Sequence, residues 1–178
     1  IKIQYLDGQR LYNAITIGIH NIIAHQKTLD EINVFPVPDG DTGTNMVFTL
    51  MPVITEYKDH PFTRADETMS LIANTALESA RGNSGTIIAQ FFHGVRKAGS
   101  GKEALYIKDF SEALKLGYIS AKDSLLDPKE GTIITVMREV SEKANDLLSI
   151  RSSSYNFSPG LSPVKIISMS PSGLFSSA

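Results

Sequence analysis

Apolar residues recur three and four positions apart along almost the whole chain, and that spacing admits a helical protein and little else. After Asp7, a candidate N-cap, Leu11, Ile15, Ile19, Ile22 and Ile23 trace the face of a first helix. Residues 30–42, with two prolines and a glycine, break the pattern and predict a loop. Val47, Leu50, Met51 and Ile54 give a second helix. Thr63 with Asp66 and Glu67 resembles a capping arrangement ahead of a third stripe, Met69, Ile72, Ala73, Ala76, Leu77 and Ala80. Arg81-Gly82-Asn83-Ser84-Gly85 interrupts, and Ile88, Phe91, Phe92 and Val95 resume. Lys97 to Lys102 reads as a linker, Phe110 to Ala121 as a fifth helix ending near Asp127-Pro128, and Ile133 to Leu147 as a sixth. No segment alternates as a half-buried strand would, so the expectation is an all-α antiparallel bundle or barrel with about six clear helices.

Composition narrows the function classes. The 178 residues suffice for one domain with a real core; 42% are hydrophobic, 20% charged, and the net charge is −2. Without a basic excess, nucleic acid is not an expected partner. No apolar run approaches a membrane span, and IKIQYLDGQR lacks the apolar core of a signal peptide, so a cytoplasmic location is expected. The absence of cysteine removes disulfides, thiolate nucleophiles and thiolate metal sites. The first residue is Ile rather than Met, which suggests a native start further upstream. From Ser149 the character changes to a Ser/Pro-rich stretch without a helical stripe, so the expected division is a helical domain over 1–148 and an irregular tail over 149–178, in which VKIIS alone has strand character.

Three irregular stretches share one design. Gly40-Asp41-Thr42-Gly43-Thr44-Asn45, Gly82-Asn83-Ser84-Gly85 and Glu130-Gly131-Thr132 each lead into a helix. A helix start offers unpaired N–H groups and the positive end of the macrodipole, which suits an anion, and glycine lets backbone come close to it. Asp39 and Asp41 stand two apart in the first of these, PVPDGDTGTN. Mg²⁺ takes hard oxygen ligands, commonly one or two carboxylates with phosphate oxygens and water, so a Mg–nucleotide site is one reading. The other is an Asp-Gly turn whose carboxylates cap the following helix, and the pattern alone weighs the two evenly.

Other chemistries find less support. His20, His25, His60 and His93 have no mutual metal-ligand spacing and read as surface or partly packed residues. Ser84 lies in a glycine-flanked turn, but a hydrolase elbow needs a strand before it. KAGSGKEA has the wrong spacing for a phosphate-binding P-loop. An EF-hand would need its glycine one place later and a glutamate where Leu50 stands.

NVFPVPDGDTGTNM at 33–46, ARGNSGTIIAQ at 80–90 and EGTIITV at 130–136 resemble the three signature blocks of the dihydroxyacetone kinase L-type nucleotide-binding domain, and the wording of the first two is most similar to the N-terminal domain of bacterial fatty acid kinase A subunits. The resemblance spans roughly residues 7–148. It implies an eight-helix antiparallel barrel that binds ATP and Mg²⁺ at one end. Asp39 and Asp41 match its magnesium ligands and act in catalysis through the metal, with Asn33 near a third, weaker position. Gly40, Gly43, Thr44 and Asn45 match the first phosphate-contacting loop, Asn83, Ser84 and Gly85 the second, and Thr132 the third block. The implied reaction is phosphoryl transfer from ATP to a fatty acid carboxylate, giving an acyl phosphate, with a separate fatty-acid-binding carrier protein as partner. A dihydroxyacetone kinase L-type subunit and a non-catalytic nucleotide-binding module are the alternatives. The oligomeric state stays open, a homo-oligomer included. The last two barrel helices have no counterpart after 148, and further family domains are absent here, so nucleotide binding is expected of this chain and complete turnover by it alone is not.

Overall fold

The computed structural model describes residues 4–35 and 37–155. Within them lie seven helices and one two-stranded sheet. They run β1 (Tyr5–Leu6), α1 (Gly8–Ala24), α2 (Gln26–Glu31), α3 (Thr42–Thr55), α4 (Ala65–Glu78), α5 (Gly82–Gly99), β2 (Leu105–Tyr106), α6 (Ile107–Asp123) and α7 (Ile133–Tyr155). The all-α expectation holds; β1 and β2 add only an antiparallel pair with Tyr5 opposite Tyr106.

Asp7 caps α1 as its sequence position suggested, its carboxylate accepting from the Arg10 N–H at 2.9 Å. Thr63 does not cap α4. The N-cap there is Arg64, and the first two N–H groups, of Ala65 and Asp66, donate to the carbonyls of Glu103 and Lys102 instead. A tertiary contact has replaced a local one, which no four-residue signature could reveal. At the start of α6, Asp109 reaches back to the Tyr106 N–H and also pairs with Lys102 at 2.6 Å. Four boundaries differ from expectation. Helix α2 occupies part of the predicted loop, α5 runs through Gly99 into the predicted linker, α6 stops at Asp123, and α7 continues past Leu148 to Tyr155. The remaining tail, VKIIS included, lies outside the described residues.

The long helices run up and down. The Tyr12 hydroxyl on α1 donates to the Val53 carbonyl near the end of α3, whereas Gln26 meets Thr44 at the start of α3. Gly99, closing α5, packs on Met69 in the first turns of α4. Gly94 of α5 lies against Leu116 and Ser120 of α6, and Ala121 of α6 shares a cluster with Ile134 of α7. The starts of α3, α5 and α7 therefore fall at one end of the bundle. The main core between them contains Tyr12, Ile19, Met46, Leu50, Val53, Phe62, Ile72, Ala76 and Ile88. Ile19, Leu50 and Ile72 are almost wholly buried, each contributing about 1.5–3 kcal/mol by leaving water. Tyr12 and Phe62 stack with ring centroids 3.9 Å apart.

Candidate functional site

The first two glycine-led stretches meet directly. The Ser84 hydroxyl in the first turn of α5 donates to the Thr42 carbonyl in the first turn of α3, at 3.1 Å. Two turns further along α3, the fully buried Thr49 hydroxyl accepts from the Arg81 N–H at 3.1 Å and donates to the Asn45 carbonyl at 2.8 Å. The Asn45 amide lies over Gly82 so closely that a Cβ there would sit 2.2 Å from it, and Gly82 itself has φ +59°. Only glycine satisfies both the contact and the backbone. Gly82 and Asn45, far apart in the sequence, thus belong to neighbouring turns of one surface.

The first loop is organised by a residue the sequence pattern did not single out. Asp30, on α2, accepts from both the N–H and the hydroxyl of Thr44, at 3.0 and 2.8 Å, while Gln26 donates to the same hydroxyl at 2.9 Å. The start of α3 is therefore capped from α2, across a gap of 14 residues. Asp41 stands at the N-cap position but its side chain makes no capping hydrogen bond. Asp39 accepts from the Asn33 amide, and its side chain is exposed. The capping alternative for the two aspartates thus loses its geometric basis, because Asp30 already fills that role.

The glycines separate into two kinds. A Cβ on Gly43 would lie 2.2 Å from the Gln26 carbonyl oxygen, and one on Gly85 2.2 Å from the Thr49 hydroxyl, so each of these two glycines lets a neighbouring helix pack against its Cα. Gly40, at φ +65°, has its nearest neighbour 3.8 Å from the Cβ position and does leave space. Helix α5 has no side-chain cap, and Asn83 in its first turn is exposed, so its N-terminus is the more open of the two. Thr132 behaves differently from the others. Its hydroxyl accepts from the Ile134 N–H at 3.3 Å and donates to the Lys129 carbonyl, which makes it the cap of α7. The third block reaches the second through Ile134 packed near Ile87.

Donor chemistry at Asp39, Asp41 and Asn33 is all oxygen or amide, a set that fits a magnesium ion completed by phosphate and water oxygens. Among the described residues no three His, Cys, Asp or Glu side chains converge as a self-sufficient metal centre. The histidines behave as expected: His25 bonds the Asn21 carbonyl, His60 packs edge-on to Phe62, and burial together with Lys97 and Arg96 holds His93 below the usual imidazole range. Two clefts are lined by residues other than the candidate ligands. One of about 650 Å³ is lined by Asp66, Glu67, Arg96 and Lys97, and one of about 380 Å³ lies beside His93. No helix is long and apolar enough to cross a membrane among the described residues.

Partial burial raises the Asp30 carboxyl, but the Thr44 N–H and hydroxyl and the Gly43 N–H together outweigh it and hold Asp30 below the ordinary carboxylate range. Hydrogen bonds from Arg64 and Lys102 do the same for Asp66 and Asp109. A carboxyl depressed in the folded state stabilises it fully above its unfolded pKa, near about 4, and that stability is lost as pH falls through the folded value. Thermal midpoints from circular dichroism should therefore hold steady above about pH 5 and decline below about pH 4. Asp30→Asn should make that decline shallower; an unchanged pH profile would contradict the capping role.

A family model described as the DAK2 domain matches residues 36–156. Similar proteins include an uncharacterized protein of Staphylococcus saprophyticus, 36% identical over 139 residues covering 78% of this chain and 25% of that one. Protein YloV of Bacillus subtilis is 35% identical over 144 residues, 81% of this chain and 26% of that one. An uncharacterized protein of Staphylococcus epidermidis is 33% identical over 144 residues, with the same two shares. The chain spans about a quarter of the length of the curated relatives it matches.

Proposed function

The chain belongs to the DAK2 domain family, a kinase-related family typified by the L-type module of dihydroxyacetone kinase, and on that premise we propose that it is the MgATP-binding module of a kinase that phosphorylates a fatty acid carboxylate. One observation carries the reading: Asp41 heads α3 without capping it, because Asp30 does, so with Asp39 it is left for a ligand at the end where α3 and α5 touch. Asp39 and Asp41 would hold Mg²⁺, with Asn33 fixing Asp39 through its amide. The bound metal would supply charge neutralisation on the phosphates. The open N-terminus of α5, with Asn83 and Ser84 in its first turn, would receive phosphate oxygens, and Gly40 would let the first loop approach them.

In the reaction a carboxylate oxygen attacks the γ-phosphorus, the new O–P bond forms as the β–γ bridging bond breaks, and ADP departs with that electron pair. A carboxylate is ionised at neutral pH, so no general base is needed, and positioning supplies the catalysis. The acceptor rests on the likeness of residues 33–46 to fatty acid kinases and on a local feature. Ile32, Val34, Phe35 and Val37 are all exposed on the loop that carries Asp39, an apolar rim suited to an acyl chain or the carrier protein presenting it. Dihydroxyacetone is the second acceptor to consider, since the family match favours it, but it would leave that rim uncovered.

Calorimetric titration with ATP is expected to give saturable binding in the presence of Mg²⁺ that disappears with excess chelator. Binding that ignores the metal, or none at all, would end the proposal. Radiolabelled transfer to fatty acid plus carrier, compared with transfer to dihydroxyacetone in the full-length protein, identifies the acceptor.

A further inference from the structure

We infer that Arg81 is a phosphate-binding residue of this site, its guanidinium held at the seam of α3 and α5 by the exposed ring of Phe48. The inference rests on the MgATP reading above and adds a residue to it. Arg81 is the N-cap of α5, with extended backbone at φ −131° and ψ 138°. Its N–H is fixed to α3 by the buried Thr49 hydroxyl, and its guanidinium carbon lies 5.1 Å from the centre of the Phe48 ring, also on α3. Backbone and side chain are thus anchored on the same helix, one turn from Asn45.

Phe48 is 53% exposed and lies outside the buried core clusters, and its ring face carries the Arg81 guanidinium. A guanidinium resting on an aromatic face keeps its N–H edge free, and that planar fork matches two phosphate oxygens. Arg10, Arg64 and Arg138 each pair with carboxylates, whereas Arg81 has no ion pair among the described residues. It therefore carries a charge that no carboxylate pairs, on a residue whose backbone caps the open N-terminus of α5. The chemistry of the ligand calls for such a group, because one divalent cation leaves the triphosphate negative and phosphoryl transfer spreads charge over its oxygens. Two aspartates without a nearby cation would repel that remaining charge.

The test is calorimetry of MgATP and of magnesium tripolyphosphate binding at several salt concentrations, with wild type, Arg81→Ala, Arg81→Lys and Phe48→Leu. Arg81→Ala should weaken both ligands by roughly tenfold to a hundredfold, the worth of a charge-assisted bond. It should also flatten the salt dependence of the affinity, which a purely structural cap would not do. Arg81→Lys should restore the salt dependence while recovering only part of the affinity, and Phe48→Leu should weaken binding several-fold with the charge still present. Thermal midpoints of the variants should stay close to wild type. Wild-type affinity and salt dependence in Arg81→Ala would overturn the inference while leaving the MgATP reading intact. Failure of wild type itself to bind MgATP would overturn both.

Discussion

Gly94→Val is expected to lower the thermal midpoint by about 6–12 °C. Gly94 lies in the middle of α5, where the helix crosses α6, and a Cβ added there would sit 2.1 Å from the Leu116 carbonyl oxygen, 2.6 Å from its carbonyl carbon and 2.7 Å from the Ser120 Cβ. Backbone cannot rotate aside as a side chain can, so the two helices would have to separate. Gly117, on the facing side, is equally crowded by the Phe91 ring at 2.7 Å. Overpacking costs about 1–3 kcal/mol and occasionally more. Contact with a carbonyl puts this case near about 3 kcal/mol, which for a domain of this size is about 2–4 °C for each kcal/mol. Gly18 is the control: it faces no atom within 4 Å, so Gly18→Ala in α1 should raise the midpoint slightly, by removing about 1 kcal/mol of helix penalty. Differential scanning calorimetry reads both, and a Gly94→Val midpoint equal to wild type would show that α5 and α6 are not held at this distance.

The same crossing explains what could and could not be read from sequence. The helical stripes are local facts, since Leu11, Ile19, Leu50, Ile72 and Met137 are buried where a period of 3.6 places them. The glycines mark helix starts because they recur before polar donors. Which glycines a neighbouring helix crowds depends on atoms far along the chain, Gln26 for Gly43 and Thr49 for Gly85, so spacing could not sort them. Asp30 escaped notice for the same reason. It lies on the six-residue helix α2, too short to show a stripe, and its role appears only once that helix is laid against the start of α3. Thr49 read as one more helix residue, although its hydroxyl joins Asn45 to Arg81. Asp39 and Asp41 were legible as candidates from Asp-Gly-Asp alone. Removing the capping alternative required Asp30.

That division of labour predicts a separation of effects between two aspartates at one helix start. Asp41→Asn keeps the size and backbone preference of the N-cap residue and removes only the charge; since Asp41 makes no capping hydrogen bond, the fold should lose no more than about 0.5 kcal/mol. In the proposed site the same change takes one of two carboxylates from Mg²⁺. A unit charge about 4 Å from a cation near a protein surface is worth about 4 kcal/mol. Allowing for screening, a loss of about 3 kcal/mol is expected, roughly a hundredfold in MgATP affinity. Asp39→Asn should behave alike, and the double variant should show no Mg²⁺-dependent binding. Asp30→Ala reverses the pattern: removing the cap of Thr44 should cost about 0.5–2 kcal/mol of stability. Its binding loss should track the destabilised loop and diminish at low temperature, where the loop remains folded. Calorimetric affinity and thermal midpoint, measured on each variant, place every residue on one axis or the other. An Asp41→Asn protein that melts early yet binds MgATP as wild type would make Asp41 a structural residue and move the metal elsewhere.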